Sequence, residues 1–416
     1  MENTRIFNLL AISLGLRPFG RSFLAGNSRK ARTANALQVL PSIAMLILYA
    51  LCLVSMFKEN DGSANVAMAA NWLQSTPNSF AFIMAIIFAL KNRELGQEIL
   101  DSFAMCDEKL RDYFAINYDK VNKVSGRLSF VFVLVSIACG LTVASLTYYT
   151  TVDLNNTWSL IHLASFCLPK FALMVFNFQF VGAMSFLSSR TQLLRMSIRA
   201  NLSGELDALI AQMSILGKQG NSMKIRPVAS VNTSAGPLVA EMVAILQNLN
   251  ERVNIYFGKQ VILNFLSGFI CAIVQLHYII NHIRTNFAVS DAEVLVAFSF
   301  SLVAMHTIEF WSILSSGEVV KLKWTEAMAS LTQARGNSSD DNLRSKLNDI
   351  LAIMKVKKLE VHAFNFFTID LSVMTAMISA MTTYLIVLVQ FRVTEEESAG
   401  GEGVPAQKQF SSAGIE

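Results

Sequence analysis

Seven long, mostly apolar stretches, at 39–57, 72–90, 128–149, 158–187, 261–283, 292–314 and 364–391, constrain this chain more than any other feature. Most reach the roughly 20 residues a helix needs to cross about 30 Å of hydrocarbon. In that medium the backbone has no water to bond, and a helix satisfies every amide within one segment. Composition agrees, since only 15% of the residues are charged against roughly a quarter in an ordinary soluble domain. The expected fold is therefore all-α: a polytopic membrane protein with seven transmembrane helices, surrounded by membrane lipid. The second stretch is the weakest, because Asn71, Gln74, Pro77 and Asn78 occupy its first turns.

Basic residues orient the spans. Of the 34 Lys and Arg, 29 precede the first span or lie in the loops 91–127, 190–259 and 321–358. Lys58, Arg284, Arg392 and Lys408 fall on the opposite side, and Lys170 lies within the fourth span. An excess of Lys and Arg marks the cytosolic face, which predicts a cytosolic N-terminus and, with seven spans, an extracellular C-terminus. A G-protein-coupled receptor has the opposite orientation, so that class is disfavoured. The net charge of +4 is modest and its basic residues do not form one soluble face, so no nucleic-acid partner is expected.

Smaller signals fit this topology unevenly. The pattern N-x-[ST] occurs at Asn155, Asn201, Asn232 and Asn337, of which only Asn155 falls outside, but so short a pattern arises by chance. Cys52, Cys139, Cys167 and Cys271 lie in spans and Cys106 in a cytosolic loop, leaving none placed for an extracellular disulfide. The basic first 38 residues show no cleavable signal peptide, and the first span doubles as a signal anchor.

The cytosolic loops carry helical seams. Leu95, Ile99, Phe103, Cys106, Leu110 and Tyr113 recur at spacings of four and three, as do Leu238, Met242, Ile245, Leu249, Val253 and Tyr256, and more weakly Leu343, Leu347, Ile350 and Met354. Such seams pack within the chain, against another subunit, or on the membrane surface. The stretches 218–237 and 336–341 are polar and rich in Gly or Pro, and read as flexible loops without stable structure.

No motif of a hydrolase, nucleotide-binding loop or metal centre occurs, so the chain reads as no enzyme, with no cofactor and no metal site. Polar groups inside spans carry more information, because each costs free energy in lipid unless it faces a partner or water. Lys170, after Pro169, sits near mid-membrane; it either pairs inside the bundle, with Glu309 as the candidate, or faces a ligand. Gln275, Tyr278 and His282 share one helix face. With Trp158, His162, Tyr148 and Tyr149 they make a set near the extracellular ends, which fits a small-molecule pocket or an interfacial aromatic belt.

The seventh span has no charge between 371 and 391, yet Ser372, Thr375, Ser379 and Thr382 draw a polar stripe along it, with Thr383, Ile386 and Gln390 nearby. A stripe of small hydroxyl residues suits close helix packing and equally suits the wall of a water-filled pore, where symmetry turns one helix into a ring. Asp370 would then form an acidic ring favouring cations, and Phe391, with Val387 and Leu388, an apolar constriction.

The residues Thr383 to Phe391 spell TYhhhhhQF, where h is hydrophobic, and this closely resembles the terminal signature of insect gustatory receptors. Residues 366–371, FFTIDL, resemble the entry to that family's last span. Two departures stand out: Leu385 follows the tyrosine where sugar receptors of the family often have Glu, and 25 residues follow Phe391 where relatives usually end within a few.

The resemblance implies a ligand-gated, non-selective cation channel in the plasma membrane of sensory neurons. A small tastant would open it, monovalent and divalent cations would permeate, and subunits would form a homotetramer or a hetero-oligomer with related receptors. Gln390 and Phe391 become pore and gate candidates, Val387, Ile386, Thr383 and Asp370 line the same path, and Tyr384 supports the helix. Ligand contacts are expected from His162, Trp158, Lys170, Gln275, Tyr278 and Tyr148. The chain divides into a cytosolic segment 1–38; spans one to four in 39–200, with the helical loop 91–127; a cytosolic loop and helical extension 201–260; spans five and six in 261–314; a cytosolic anchor segment 315–363; the pore-lining span 364–391; and a disordered extracellular tail 392–416. The competing reading is a secondary transporter of a small polar solute with Lys170 and Asp370 as coupling groups, against which no inverted repeat is evident.

Overall fold

A computed structural model describes ten positions between 40 and 54 and residues 66–114, 157–202, 235–284 and 292–401. The third apolar stretch, 128–149, lies outside the described residues. Among the described residues the helices are α1 (Val66–Lys91), α2 (Arg93–Phe114), α3 (Thr157–Leu202), α4 (Ala235–Arg284), α5 (Ala292–Asn337), α6 (Asp341–Val356) and α7 (Ser372–Gly401), and the described positions between 40 and 54 are helical too. Two short strands, β1 (His362–Ala363) and β2 (Phe367–Thr368), form an antiparallel hairpin before α7.

Among the described residues four stretches are long and apolar enough to cross a membrane: Cys167–Arg199, Pro237–Ile280, Val296–Asn337 and Ser372–Gln390. Ser42–Leu51 and Thr76–Lys91 are shorter apolar helices. The weak start of the second predicted span is explained by its interior. Pro77 is accommodated within α1, and Asn78 is buried and bonded rather than exposed.

The long helices do not stop where hydropathy falls. The predicted fifth span and the amphipathic series before it form one helix of 50 residues, about 75 Å at 1.5 Å per residue and more than twice the hydrocarbon thickness. Leu238, Met242, Leu246, Leu249, Val253, Phe257 and Val261 are all buried, so the apolar face runs in phase through the junction. Along this extension the core of the spans continues without a break, and Trp324 and Leu331 of α5, Leu347, Ile350 and Met354 of α6, and Ile99, Phe103 and Leu110 of α2 are buried in it. The seams therefore pack within the chain. Arg190 of α3 forks onto Asp107 of α2 at 2.8 and 2.7 Å and is 2% exposed, locking the two helices together.

Three expectations change at the chain's turns. The segment 336–341 is not a flexible loop: α5 runs to Asn337, and Asp340 caps α6 by accepting from the Asn342 amide at 3.0 Å. Residues 235–237 already belong to α4, while 218–234 lie outside the described residues. The last helix starts at Ser372 rather than 364 and continues to Gly401, ten residues past Phe391. Glu and Ala are good helix formers, and a helix already nucleated in the apolar window extends through them cheaply.

Between α6 and α7 the chain runs as a strap over α4 and α5. Gln247 donates to the Lys357 carbonyl at 2.7 Å, and Asn250 and Asn254 donate to the Glu360 carbonyl at 2.9 and 3.0 Å. Glycines allow the approach: a Cβ on Gly258 would sit 2.8 Å from the Phe364 nitrogen, and one on Gly317 only 2.1 Å from the Ile369 oxygen. At the hairpin tip Phe364 and Asn365 have φ of 46° and 60°, and the Phe366 amide closes the turn on the Ala363 carbonyl at 2.9 Å. A bulky L-residue in this region costs about 1–2 kcal/mol.

Candidate functional site

Two arrangements inside the apolar windows carry chemistry. The first is a buried polar column. Gln260, Asn264, Ser267, Cys271 and Gln275 recur along α4 at spacings of four and three, and all are buried. Gln260 donates to the Ala81 carbonyl and to Asn264, each at 2.9 Å, and Asn264 donates to Asn177 of α3 at 2.6 Å. Ser267 donates to Asn78 at 2.6 Å, and Asn78 donates to the Cys271 sulfur at 3.2 Å. In hydrocarbon these amides would be costly alone; bonded to one another they set the register of α1, α3 and α4.

Beside the column stands an ionic triad. Lys170 Nζ lies 2.7 Å from Glu309 Oε2 and 3.1 Å from His306 Nδ1, and His306 Nδ1 is 3.6 Å from the same carboxylate oxygen. Their side chains are 12%, 7% and 2% exposed. Of the two roles open to Lys170, the fold supplies the internal ion pair with Glu309. The other carboxylate oxygen, Glu309 Oε1, is buried without a hydrogen-bond partner. A Cβ on Gly268 would fall 2.9 Å from His306 Nδ1, so α4 and α5 touch at the triad.

Gln275 is buried on α4 and Tyr278 is half-buried one turn on. Trp158 and His162 fall on the first turns of α3, with side chains outside the described ones, and Tyr148 lies outside the described residues. The structure thus joins Lys170 to His306 and Glu309. Sequence reasoning gave His306, Asn78 and Asn177 no site role and picked out only Gln275 of the column on α4. The four-and-three spacing of Gln260, Asn264, Ser267, Cys271 and Gln275 is the signal that points to that column.

The second arrangement is α7. Only 6% of its window is buried against the subunit, against 44–50% for the other three long apolar helices. Val373, Met374, Met377 and Met381 pack on the core, and Tyr384 meets Phe269 of α4 edge-on at 6.3 Å. Ser372, Thr375, Ser379, Thr382, Thr383, Ile386, Val387 and Gln390 are exposed, so the hydroxyl stripe points away from its own subunit. Thr382 and Thr383 return their hydroxyls to the carbonyls of Ile378 and Ser379 at 2.9 and 3.0 Å. Phe391 lies on the helix, its side chain outside the described ones.

Asp370 sits at the foot of this helix with both oxygens engaged. Oδ1 caps α7 by accepting from the Ser372 amide at 3.1 Å and from its hydroxyl, while Oδ2 meets Lys321 of α5 at 3.1 Å. In the subunit it fastens α7 to α5. Among the described residues no group of His, Cys, Asp and Glu is arranged to hold a metal ion.

Residues 4–395 match the family model described as 7tm Chemosensory receptor. Among solved structures the chain is similar to the insect olfactory receptor OR5 from Machilis hrabei, at 12% identity over 93% of this chain and 97% of that one, with a TM-score of 0.65. It is likewise similar to that receptor in complex with eugenol, at 14% identity over 94% and 98%, with a TM-score of 0.66. At such identities the likeness is one of fold. The search of curated proteins returns no match.

Proposed function

We propose, of a chain that belongs to the 7tm chemosensory receptor family, that it is a gustatory-type receptor acting as a ligand-gated, non-selective cation channel. The family is one of multi-pass membrane receptors and not of enzymes. The observation that carries the channel reading is α7: uncharged from Ser372 to Phe391, apolar enough to span over Ser372–Gln390 with 6% of that window buried, and turning its hydroxyl stripe outward from its own subunit. Copies related by symmetry, four in a homotetramer or in a hetero-oligomer with related receptors, would set that stripe around an axis as a pore wall.

In this reading the N-terminus is cytosolic, the helical extension of α2 to α6 is the cytosolic anchor, and the receptor sits in the plasma membrane of sensory neurons. A small tastant enters from outside and binds in the outer half of the bundle, near Gln275, Tyr278, Trp158, His162 and Tyr148, with Lys170 at the inner limit. That a receptor of this fold is found in complex with eugenol supports a small-molecule occupant. A ligand that prefers the open state draws the α7 helices apart, displaces Phe391 and Val387, and hydrates the pore past Gln390, Ile386 and Thr383. Monovalent and divalent cations then pass. Asp370, already capped and paired, serves this motion by tying α7 to α5.

Transport by Lys170 and Asp370 is the weaker reading, because each is neutralised by a different partner, Glu309 and Lys321, and the two do not meet. Whole-cell recording from cells expressing the chain, with a panel of sugars, bitter compounds and amines, tests the channel. Evoked cation current altered by Phe391→Ala supports it; saturable uptake without channel current refutes it.

A further inference from the structure

The hairpin that precedes α7 exposes two aromatic rings that no described residue of the subunit covers. Phe364 and Phe366 are 52% and 79% exposed, and the turn that presents them runs through two consecutive residues of positive φ. An aromatic residue is held in that conformation only where its surroundings impose it. Beside the rings Lys259 Nζ stands 4.7 Å from the centroid of Phe364, and among the described residues no carboxylate pairs with it. Glu360, on the strap, is shared by Lys358 at 3.8 Å and His362 at 3.9 Å.

Depth along α4 says what these groups meet. The Phe364 backbone lies against Gly258, three residues before the apolar stretch that begins at Val261. At 1.5 Å per residue that is about 5 Å. A headgroup layer is roughly 5–8 Å thick on each side of the hydrocarbon. The other end of the hairpin gives the same level, since Ile369 bonds back to Val361 at 2.7 Å and α7 begins three residues later. Along α4, Ile255, Lys259, Ile262 and Leu266 follow at four, three and four, with Ile255 and Leu266 more than half exposed, so the face bearing Lys259 is outward and apolar on both sides of it.

We propose that this hairpin is a lipid anchor: Phe364 and Phe366 insert among the phospholipid headgroups at the foot of α7, and Lys259 takes a lipid phosphate, favouring anionic headgroups. Aromatic rings partition to that depth, and a lysine with an apolar stem reaches a phosphate from it. The anchor fixes the level of the foot of α7 in the bilayer. The proposal goes beyond the channel reading and rests only on α4 and α7 crossing a membrane, so it stands or falls in a protein that passes no current.

The test uses the full chain in nanodiscs of phosphatidylcholine, with or without phosphatidylserine. Phe366→Cys carries an environment-sensitive fluorophore, with the unsubstituted chain labelled in parallel as background. Val356→Cys at the end of α6, 85% exposed and level with Gln247 of α4, about 20 Å from the apolar stretch, reports water. A headgroup nitroxide lipid should quench the label at 366 and spare that at 356, aqueous iodide should do the reverse, and Lys259→Gln should lower the preference for phosphatidylserine about fivefold. Iodide quenching at 366 without lipid quenching overturns the proposal. So does protection from both quenchers with disulfide formation between Phe366→Cys chains, which assigns the rings to a second copy. Lipid quenching unchanged by phosphatidylserine or by Lys259→Gln overturns the role of the lysine.

Discussion

Removing Glu309 should harm this protein far more than removing its partner. The Lys170 ammonium and Glu309 carboxylate meet at 2.7 Å with side chains 12% and 7% exposed. At an effective dielectric constant near 20 the attraction is about 6 kcal/mol, offset by several kcal/mol of desolvation for each ion. The net worth of the pair is therefore small, but breaking it is not: a lone buried charge costs about 3–5 kcal/mol. Glu309→Gln leaves Lys170 with only the neutral ring of His306, and the full cost is expected. Lys170→Met leaves Glu309 beside His306 at 3.6 Å, a group able to take up the compensating proton, so about half that loss is expected. The double variant Lys170→Met/Glu309→Gln removes both charges and should recover at least about 2 kcal/mol over Glu309→Gln alone. The assay is the fraction of detergent-solubilised receptor that stays monodisperse after graded heating, compared across the four proteins because unfolding of such chains is irreversible. A double variant as damaged as the sum of the singles, or a harmless Glu309→Gln, would refute the reasoning.

Other outcomes follow from the same packing. Gly317→Ala drives a Cβ to 2.1 Å from the Ile369 carbonyl and should cost about 1–3 kcal/mol, whereas Gly336→Ala, with nothing within 4 Å, should be neutral or stabilising by up to about 1 kcal/mol; melting curves of the two decide it. Arg190→Ala leaves Asp107 without its fork in the extension and should lose about 3–5 kcal/mol, seen as early proteolysis of α2. Burial pushes the Cys106 thiol up to about 12, the Asp107 carboxylate adding to this against the pull of Arg190. At neutral pH its thiolate fraction is then about a thousandfold below that of an ordinary cysteine, and mass spectrometry should find it unalkylated in the native protein. The same shift stabilises the fold below about pH 9, and that contribution is lost as pH rises toward 12.

Much of the fold was legible because hydropathy and helical period are local. The seams 95–110 and 238–256 emerge as buried faces of α2 and α4, and the partner suggested for Lys170 is the one it has. Helix ends were less legible. Hydropathy falls at 260 while the helical phase does not, so span and extension looked separable and are one rod. At 336–341 a polar, glycine-containing run reads as a loop until Asp340 is seen capping α6.

By itself the sequence determined that this chain belongs in a membrane, since no water-soluble core can hide so many long apolar runs. It also supplied the terminal motif on the seventh span. Only the tertiary structure decided which groups meet: Lys170 with His306 and Glu309, Asp370 with Lys321, Gly258 and Gly317 beneath the strap. The reason is physical. A helix forms from neighbours a few residues apart and leaves its mark in spacing, whereas a neutralised buried charge depends on side chains some fifty to well over a hundred residues away, brought together only when the helices pack.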